Sequence, residues 1–286
     1  MFAFTTAAVD WFEPLSYGFF RRGLTVAVLA GALCGLMGVY VVLRSLSYIG
    51  HGLSHAVFGG AAAASVANVN YFLGAGVWGI LSGLLIGRVT RRKLLSADAA
   101  IGIVTTASFA AGIVLFNKFG RARRSIDAVL FGDILGVART DVYAVIGVGF
   151  IVLFVVLSAY RPLLYSTFDS EVARVTGGHP DLLDAVLMVL LSLTVLVTMR
   201  VIGVLLISAL LVLPASTARM LTDSFARMLA IAPALGAATS LVGMNLSYHV
   251  NTSPGATVIL LNAAVFLVVF LAKGSVGRSR VAHVHV

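Results

Sequence analysis

Charged residues are scarce in this chain: Asp, Glu, Lys and Arg make up only 11% of its 286 residues. A soluble domain carries about 25%, because its surface faces water. A globule of this length could not cover itself with so little charge, which excludes a soluble enzyme. Cysteine is scarcer still. The single Cys34 rules out an intrachain disulfide and any metal cage built from thiolates. Its place in an apolar run reads as small-residue packing. No GxxxxGK[ST] phosphate loop occurs, since Lys93, Lys118 and Lys273 follow Arg92, Asn117 and Ala272 rather than glycine. Any use of ATP must therefore borrow an ATPase from another chain. The first residues hold Asp10, Glu13 and Pro14 and no basic region, so no secretory leader is evident and insertion is expected to rely on the first long apolar run.

What the chain has instead is apolar length, with 60% hydrophobic residues. Crossing the hydrocarbon of a bilayer takes about 20 largely apolar residues in a helix. Only a helix satisfies its own backbone groups there. Nine runs qualify as candidates: Leu24–Leu43, Leu46–Val69, Tyr71–Val89, Ala99–Phe116, Val142–Tyr160, Leu183–Met199, Val201–Leu213, Phe225–Leu241 and Ala256–Ala272. The expected fold is all-α, a polytopic transmembrane helix bundle of about nine spans (eight to ten) in one domain over residues 1–286. A turn at Met199–Arg200 would make two short helices, whereas one tilted helix would lower the count. Pro214 is expected at a helix end or kink. Residues 1–22 form an N-terminal segment, 161–182 a polar loop and 274–286 a flexible tail.

The formal net charge is +9. In a soluble protein that balance would raise nucleic acid as a partner. In a membrane protein basic residues collect in cytoplasmic loops, so no nucleic-acid partner is expected. Nine spans with the N-terminus outside place Arg88, Arg91, Arg92, Lys93, Arg161, Arg174, Arg219, Arg227, Lys273, Arg278 and Arg280 on one side, the cytoplasm. One cluster objects: Lys118, Arg121, Arg123 and Arg124 would lie outside, beside Ala128–Val137, an apolar piece too short to cross. Gly79, Gly83 and Gly87 recur every four residues, as do Gly31 and Gly35. Small residues at that spacing let helix backbones approach closely in lipid, and packing within the bundle is favoured over a subunit interface.

His51 and His55 are the sharpest chemical feature. Four apart on a helix, their imidazoles share one face about 6 Å apart. Neutral imidazole binds zinc well and serves manganese and iron. Ionisable groups in a membrane segment usually face the bundle interior or an aqueous path. The competing reading leaves one histidine at the interface, bonded to a carbonyl. An intramembrane zinc protease needs glutamate directly after the first histidine, and Gly52 stands there. Roles as ligands are not expected for His179, beside Pro180, for His249, in a loop, or for His283 and His285 in the tail. Within the polar loop, Phe168–Val175 can form a short helix with Asp169, Ser170 or Glu171 near its N-terminus and Gly177 or Gly178 closing it. Such a helix is either a solvated connector or a knob for a cytoplasmic partner.

At these residues the sequence resembles the membrane permease subunits of ATP-binding-cassette importers for manganese, zinc and iron. GVYVVLRSLSYIGHGLSHAVFGGAAAA looks like that family's signature around its second helix. DAAIGIV (Asp98–Val104), LFGDILGV (Leu130–Val137), STFDSEVARVTG, RVIGVLLISALLVLPASTARML and LSYHVNTSPGATVIL resemble further blocks, in order from about Leu24 to Ala272. The resemblance implies a type II-like importer permease in the cell membrane that is not itself an enzyme. It implies a homodimer, cytoplasmic ABC ATPase subunits, an extracytoplasmic metal-binding protein, and no tightly bound cofactor beyond the transported Zn2+, Mn2+ or Fe2+. It carries the metal contact to His51 and His55, and coupling to the ATPase to Phe168, Asp169, Glu171, Ala173 and Gly177. His51 departs from the family's usual aspartate, and Gly59 stands where proline is common. Imidazole in place of carboxylate removes a negative charge and softens the site, a weak lean toward zinc.

Overall fold

A computed structural model of the chain describes residues 11–67, 69–91, 95–119, 136–176, 178–203 and 206–282. Among them there is no strand. A 3-10 turn at Glu13–Ser16 precedes α1 (Gly18–Leu43), α2 (Ile49–Val66), α3 (Tyr71–Arg91), α4 (Ala97–Phe119) and α5 (Arg139–Ser158). Two short helices follow, α6 (Tyr160–Phe168) and α7 (Ser170–Val175), and then α8 (Pro180–Ile202), α9 (Ile207–Leu221), α10 (Phe225–Val250) and α11 (Pro254–Ala282).

Seven of these helices (α1, α3, α4, α5, α8, α10 and α11) are long and apolar enough to cross a membrane. The 18-residue α2, diluted by two histidines and four glycines, and the 15-residue α9 complete the set. The apolar runs therefore fall on the helices of an all-α membrane bundle, with Val201–Leu213 divided between the end of α8 and the start of α9.

Local chemistry sets the helix ends. At the end of α1, Ser45 takes φ 55°, its N–H donates to the Val42 carbonyl at 3.2 Å, and the Leu46 N–H donates to Val41 at 2.9 Å. That is a Schellman closure, built here on serine rather than the usual glycine. Of the two alternatives, a turn at Met199–Arg200 or one tilted helix, neither holds: the break lies at Gly203. Helix α8 continues through Arg200 to Ile202, and Gly203 adopts φ 90°, ψ 152°, a backbone that essentially only glycine tolerates. Pro214 sits inside α9, which runs on to Leu221. The short helix expected over Phe168–Val175 is divided at Asp169, whose carboxylate caps α7 by accepting from the Glu171 N–H (2.8 Å) and the Val172 N–H (3.3 Å). His249 belongs to the last turn of α10 rather than to a loop, and its ring lies 5.4 Å from Trp11. Helix α11 extends to Ala282, into the stretch expected as a tail.

Helix α1 is the hub. It packs most extensively on α10, and also on α9, α8 and α5. Glycine makes the α1–α10 seam possible: a Cβ at Gly31 would overlap the Gly236 carbonyl, and one at Gly35 would come within 2.9 Å of the Pro233 Cα. Helix α2 is wrapped by α4, α3, α8 and α9.

The two ends of the bundle differ. At one end Arg91 pairs with Asp181 at 2.7 Å, Arg44 pairs with Asp184, and the Phe168 ring lies 6.1 Å from Phe225. The basic residues Arg44, Arg91, Arg219 and Arg227 gather here, with α6 and α7. At the opposite end Asn245 donates to the Trp11 carbonyl at 3.1 Å, and Arg22 donates to the Val137 carbonyl at 3.3 Å. Lys118 lies in the last turn of α4, which runs parallel to α2 away from the basic end. Arg92, Lys93, Arg121, Arg123, Arg124, the part of Ala128–Val137 up to residue 135, Gly177, His283 and His285 lie outside the described residues.

Candidate functional site

The first turns of α2 stand where three neighbours close in. A Cβ at Gly50 would meet Leu211 Cδ1 of α9 at 2.6 Å, and one at Gly52 would meet Thr105 Cγ2 of α4 at 2.7 Å. Further along, Gly59 packs backbone to backbone with α4 at Ser108 and Gly112, and Gly60 does so with α3 at Gly74. The glycines around the histidine pair are thus the surfaces on which α9, α4 and α3 rest. Between them a residue of any size would push the neighbours apart.

His51 and His55 project together from this helix. Their Nε2 atoms lie 3.1 Å apart, and the ring centroids are 4.4 Å apart with planes at 75°. The edge of His55 meets Phe109 of α4 at 4.7 Å, and His51 meets Tyr48 at 5.7 Å. The Ser54 hydroxyl donates to the His51 carbonyl at 2.8 Å. Both histidines are half-buried.

Two facing Nε2 atoms at this separation can share one proton or one cation. Nitrogens each about 2.1 Å from one ion stand about 3.0 Å apart at a right angle and about 3.4 Å apart at the tetrahedral angle. The observed 3.1 Å falls between. No group of three or more His, Cys, Asp or Glu side chains suited to a metal occurs among the described residues. The Nδ1 atom of His55 is buried with no hydrogen-bond partner among them. A tightly bound metal would have more ligands, and each ligating histidine would donate its other N–H to an orienting acceptor. Among the described residues the pair therefore offers two imidazole nitrogens, with no such acceptor on His55 Nδ1.

The loop residues singled out from sequence come together at the basic end. Phe168 closes α6, and its ring faces Phe225, which also packs against Tyr40 of α1 at 5.7 Å and Tyr160 at 5.6 Å. Asp169 caps α7, Glu171 stands exposed in its first turn, and Ala173 is buried. With Gly177 undescribed, Gly178 closes the turn by donating to the Ala173 carbonyl at 2.8 Å.

The α3 glycine stripe faces inward. Gly79 abuts Val57 of α2, Gly83 lies between Ser192 of α8 and Leu53 of α2, and Gly87 abuts Met188 of α8. Ser192 Oγ lies 3.1 Å from the Gly79 carbonyl.

Sequence reasoning passed over Arg44. It links α1, α6 and α8 through Asp184, Ser166 and Thr167. The available signal was a lone arginine between two apolar runs, directly ahead of the histidine helix.

Comparison with known proteins adds an independent finding. The model of the ABC 3 transport family matches residues 16–273. The manganese transport system membrane protein MntC of Halalkalibacterium halodurans is 36% identical over 258 residues, covering 90% of this chain and 88% of that protein. A probable iron transport system membrane protein of Haemophilus influenzae is 37% identical over 260 residues, covering 91% and 96%. The solved structure of PsaBC from Streptococcus pneumoniae, in complex with Fab, superposes with a TM-score of 0.81 at 32% identity, covering 91% of this chain and 94% of that one.

Proposed function

The chain belongs to the ABC 3 transport family, and on that premise we propose that it is the membrane permease of an ATP-driven importer for a divalent transition-metal ion. The observation that carries the reading is the histidine pair, two Nε2 atoms 3.1 Å apart on a helix enclosed by the bundle. The relatives' names carry manganese and iron. The softer donor set made by His51 extends the range toward Zn2+. The permease works as a pair of copies, receives its ion from an extracytoplasmic metal-binding protein, and uses cytoplasmic ABC ATPase subunits.

By the positive-inside rule the basic end faces the cytoplasm. Helices α6 and α7 are then the docking element for the ATPase. Exposed Phe168 and Glu171 meet the partner, while buried Ala173 seats α7 on the bundle. Closure of the ATPases on ATP pulls this element, and the bundle changes which side reaches the histidine pair. The ion is held by few ligands, so it can leave.

The test is metal accumulation by cells carrying His51→Ala/His55→Ala. Uptake is expected to fall to background at unchanged membrane expression, and normal uptake rejects the site. Two other readings stay in competition. A stand-alone channel or secondary carrier predicts metal flux from the purified chain alone in liposomes. A permease for an organic metal chelate predicts uptake that survives loss of both imidazoles.

A further inference from the structure

We infer that Arg44 is a positioning residue of the transport cycle, a polar pin that joins the α6–α7 element and the start of α8 to the turn from which the histidine helix is launched. This rests on the importer reading above. Arg44 is the C-cap of α1, where a cation is favoured by the helix dipole. Its three guanidinium nitrogens are all engaged. One pairs with the Asp184 carboxylate of α8, NH2 donates to Ser166 Oγ at 2.7 Å, and Nε donates to Thr167 Oγ1 at 3.3 Å. The acceptors are themselves arranged for this. The Thr167 hydroxyl donates to the Leu163 carbonyl at 2.7 Å, which leaves its lone pairs for Arg44. Ser166 Oγ lies 3.5 Å from the Asp184 carboxylate. The two charged side chains are only 12% and 22% accessible.

The pin sits where motion has little chain to cross. A four-residue connection, opened by Ser45 in the left-handed conformation, leads from Arg44 into α2, whose first turn holds His51. A guanidinium held by three groups on two other elements fixes the orientation of this turn. Displacement of α6 therefore reaches α2 through a rigid fork rather than through apolar contacts that slide. A second inter-helix ion pair among the described residues at this end, Arg91 to Asp181, lacks this character. Its carboxylate is 77% accessible, and it ties α3 to the first turn of α8 without touching α6 or the α1–α2 turn.

The experiment uses the complete importer, permease with its ATPase subunits and binding protein, in proteoliposomes. It measures co-purification of the ATPase, ATP hydrolysis, and Mn2+ moved per ATP. Arg44→Gln is expected to keep the ATPase bound and hydrolysing while Mn2+ moved per ATP drops at least about tenfold. Arg44→Lys supplies a point charge without the fork and is expected to restore part of the ratio. Thr167→Val removes the bond to Arg44 together with the one to the Leu163 carbonyl, without burying a charge, and is expected to lower the ratio about twofold. Arg44→Gln/Asp184→Asn removes both charges together, so it stays informative if the single variant fails to fold. Arg91→Gln is expected to match the wild type. The proposal is overturned if the folded Arg44 variants keep the wild-type ratio, if transport and hydrolysis fall only in proportion to protein recovered, or if Arg91→Gln lowers the ratio as far as Arg44→Gln. A wild-type complex that moves Mn2+ without ATP overturns the importer reading and this inference together.

Discussion

The α1–α10 seam and the first turns of α2 use the same device for opposite ends. Both depend on glycine at close helix crossings. At the seam Gly31, Gly35 and Gly236 bring two backbones into direct contact. Around α2, Gly50 and Gly52 draw α9 and α4 close on either flank, yet the face between them carries two imidazoles, with His55 Nδ1 buried and without a partner among the described residues. In lipid no hydrophobic force drives one helix onto another, so close packing does the holding. A seam that is packed throughout is rigid. A helix packed on its flanks and polar on one face is held in place while that face stays free for chemistry. The comparison teaches that glycine spacing by itself marks contact, and that the residues between the glycines decide whether the contact is sealed or carries polar side chains.

The largest effect is expected at the seam. Gly236→Val places a branched side chain against the Gly31 backbone, which cannot yield without separating α1 from α10. Overpacking of this kind costs about 3 kcal/mol or more, and fluorescence size-exclusion of the detergent-solubilised chain should show loss of the monodisperse peak. A folded, monodisperse variant would mean that the seam is looser than its geometry. Next comes the polar face. His51→Asp is expected to keep transport while shifting the ratio of zinc to manganese accumulated about tenfold toward manganese, about 1.4 kcal/mol of discrimination. Competition uptake with both ions checks this, and an unchanged ratio removes His51 from selectivity. At the basic end, Phe168→Ala/Glu171→Ala should lower ATPase co-purification several-fold without changing the amount of permease in the membrane. Unchanged assembly would make α6 and α7 a passive connector. The smallest effect is expected at Arg219, whose 3.0 Å pair with Asp223 is 46% and 98% accessible. Arg219→Ala should shift thermal stability by no more than about 0.5 kcal/mol, because solvent screens such a pair.

Much of the fold was legible before any coordinates. Apolar runs separated by arginine and proline mark helices, since a backbone in hydrocarbon has no other way to satisfy its hydrogen bonds. The histidine pair was equally legible, because a spacing of four on a helix puts two side chains on one face whatever surrounds them. Boundaries were harder. Around Arg200 the sequence left open a turn or one tilted helix, since a charge looks like an interruption. The chain turns instead at Gly203, where a backbone open to glycine is required. Pro214, expected at a helix end or kink, lies within a helix. Phe168–Val175 looked like one helix and is interrupted at Asp169, which caps the second piece.

Composition alone determined that this is a membrane protein, because so little charge cannot clothe a soluble surface. Spacing alone determined that two imidazoles face the same way. Only the tertiary structure decided that the α3 glycines rest on α2 and α8, and that Arg44 reaches Asp184, Ser166 and Thr167. Helix periodicity says which side of a helix a residue occupies, but not which helix stands opposite. That choice is made by the closest approach of whole elements distant in sequence, and no local pattern records it.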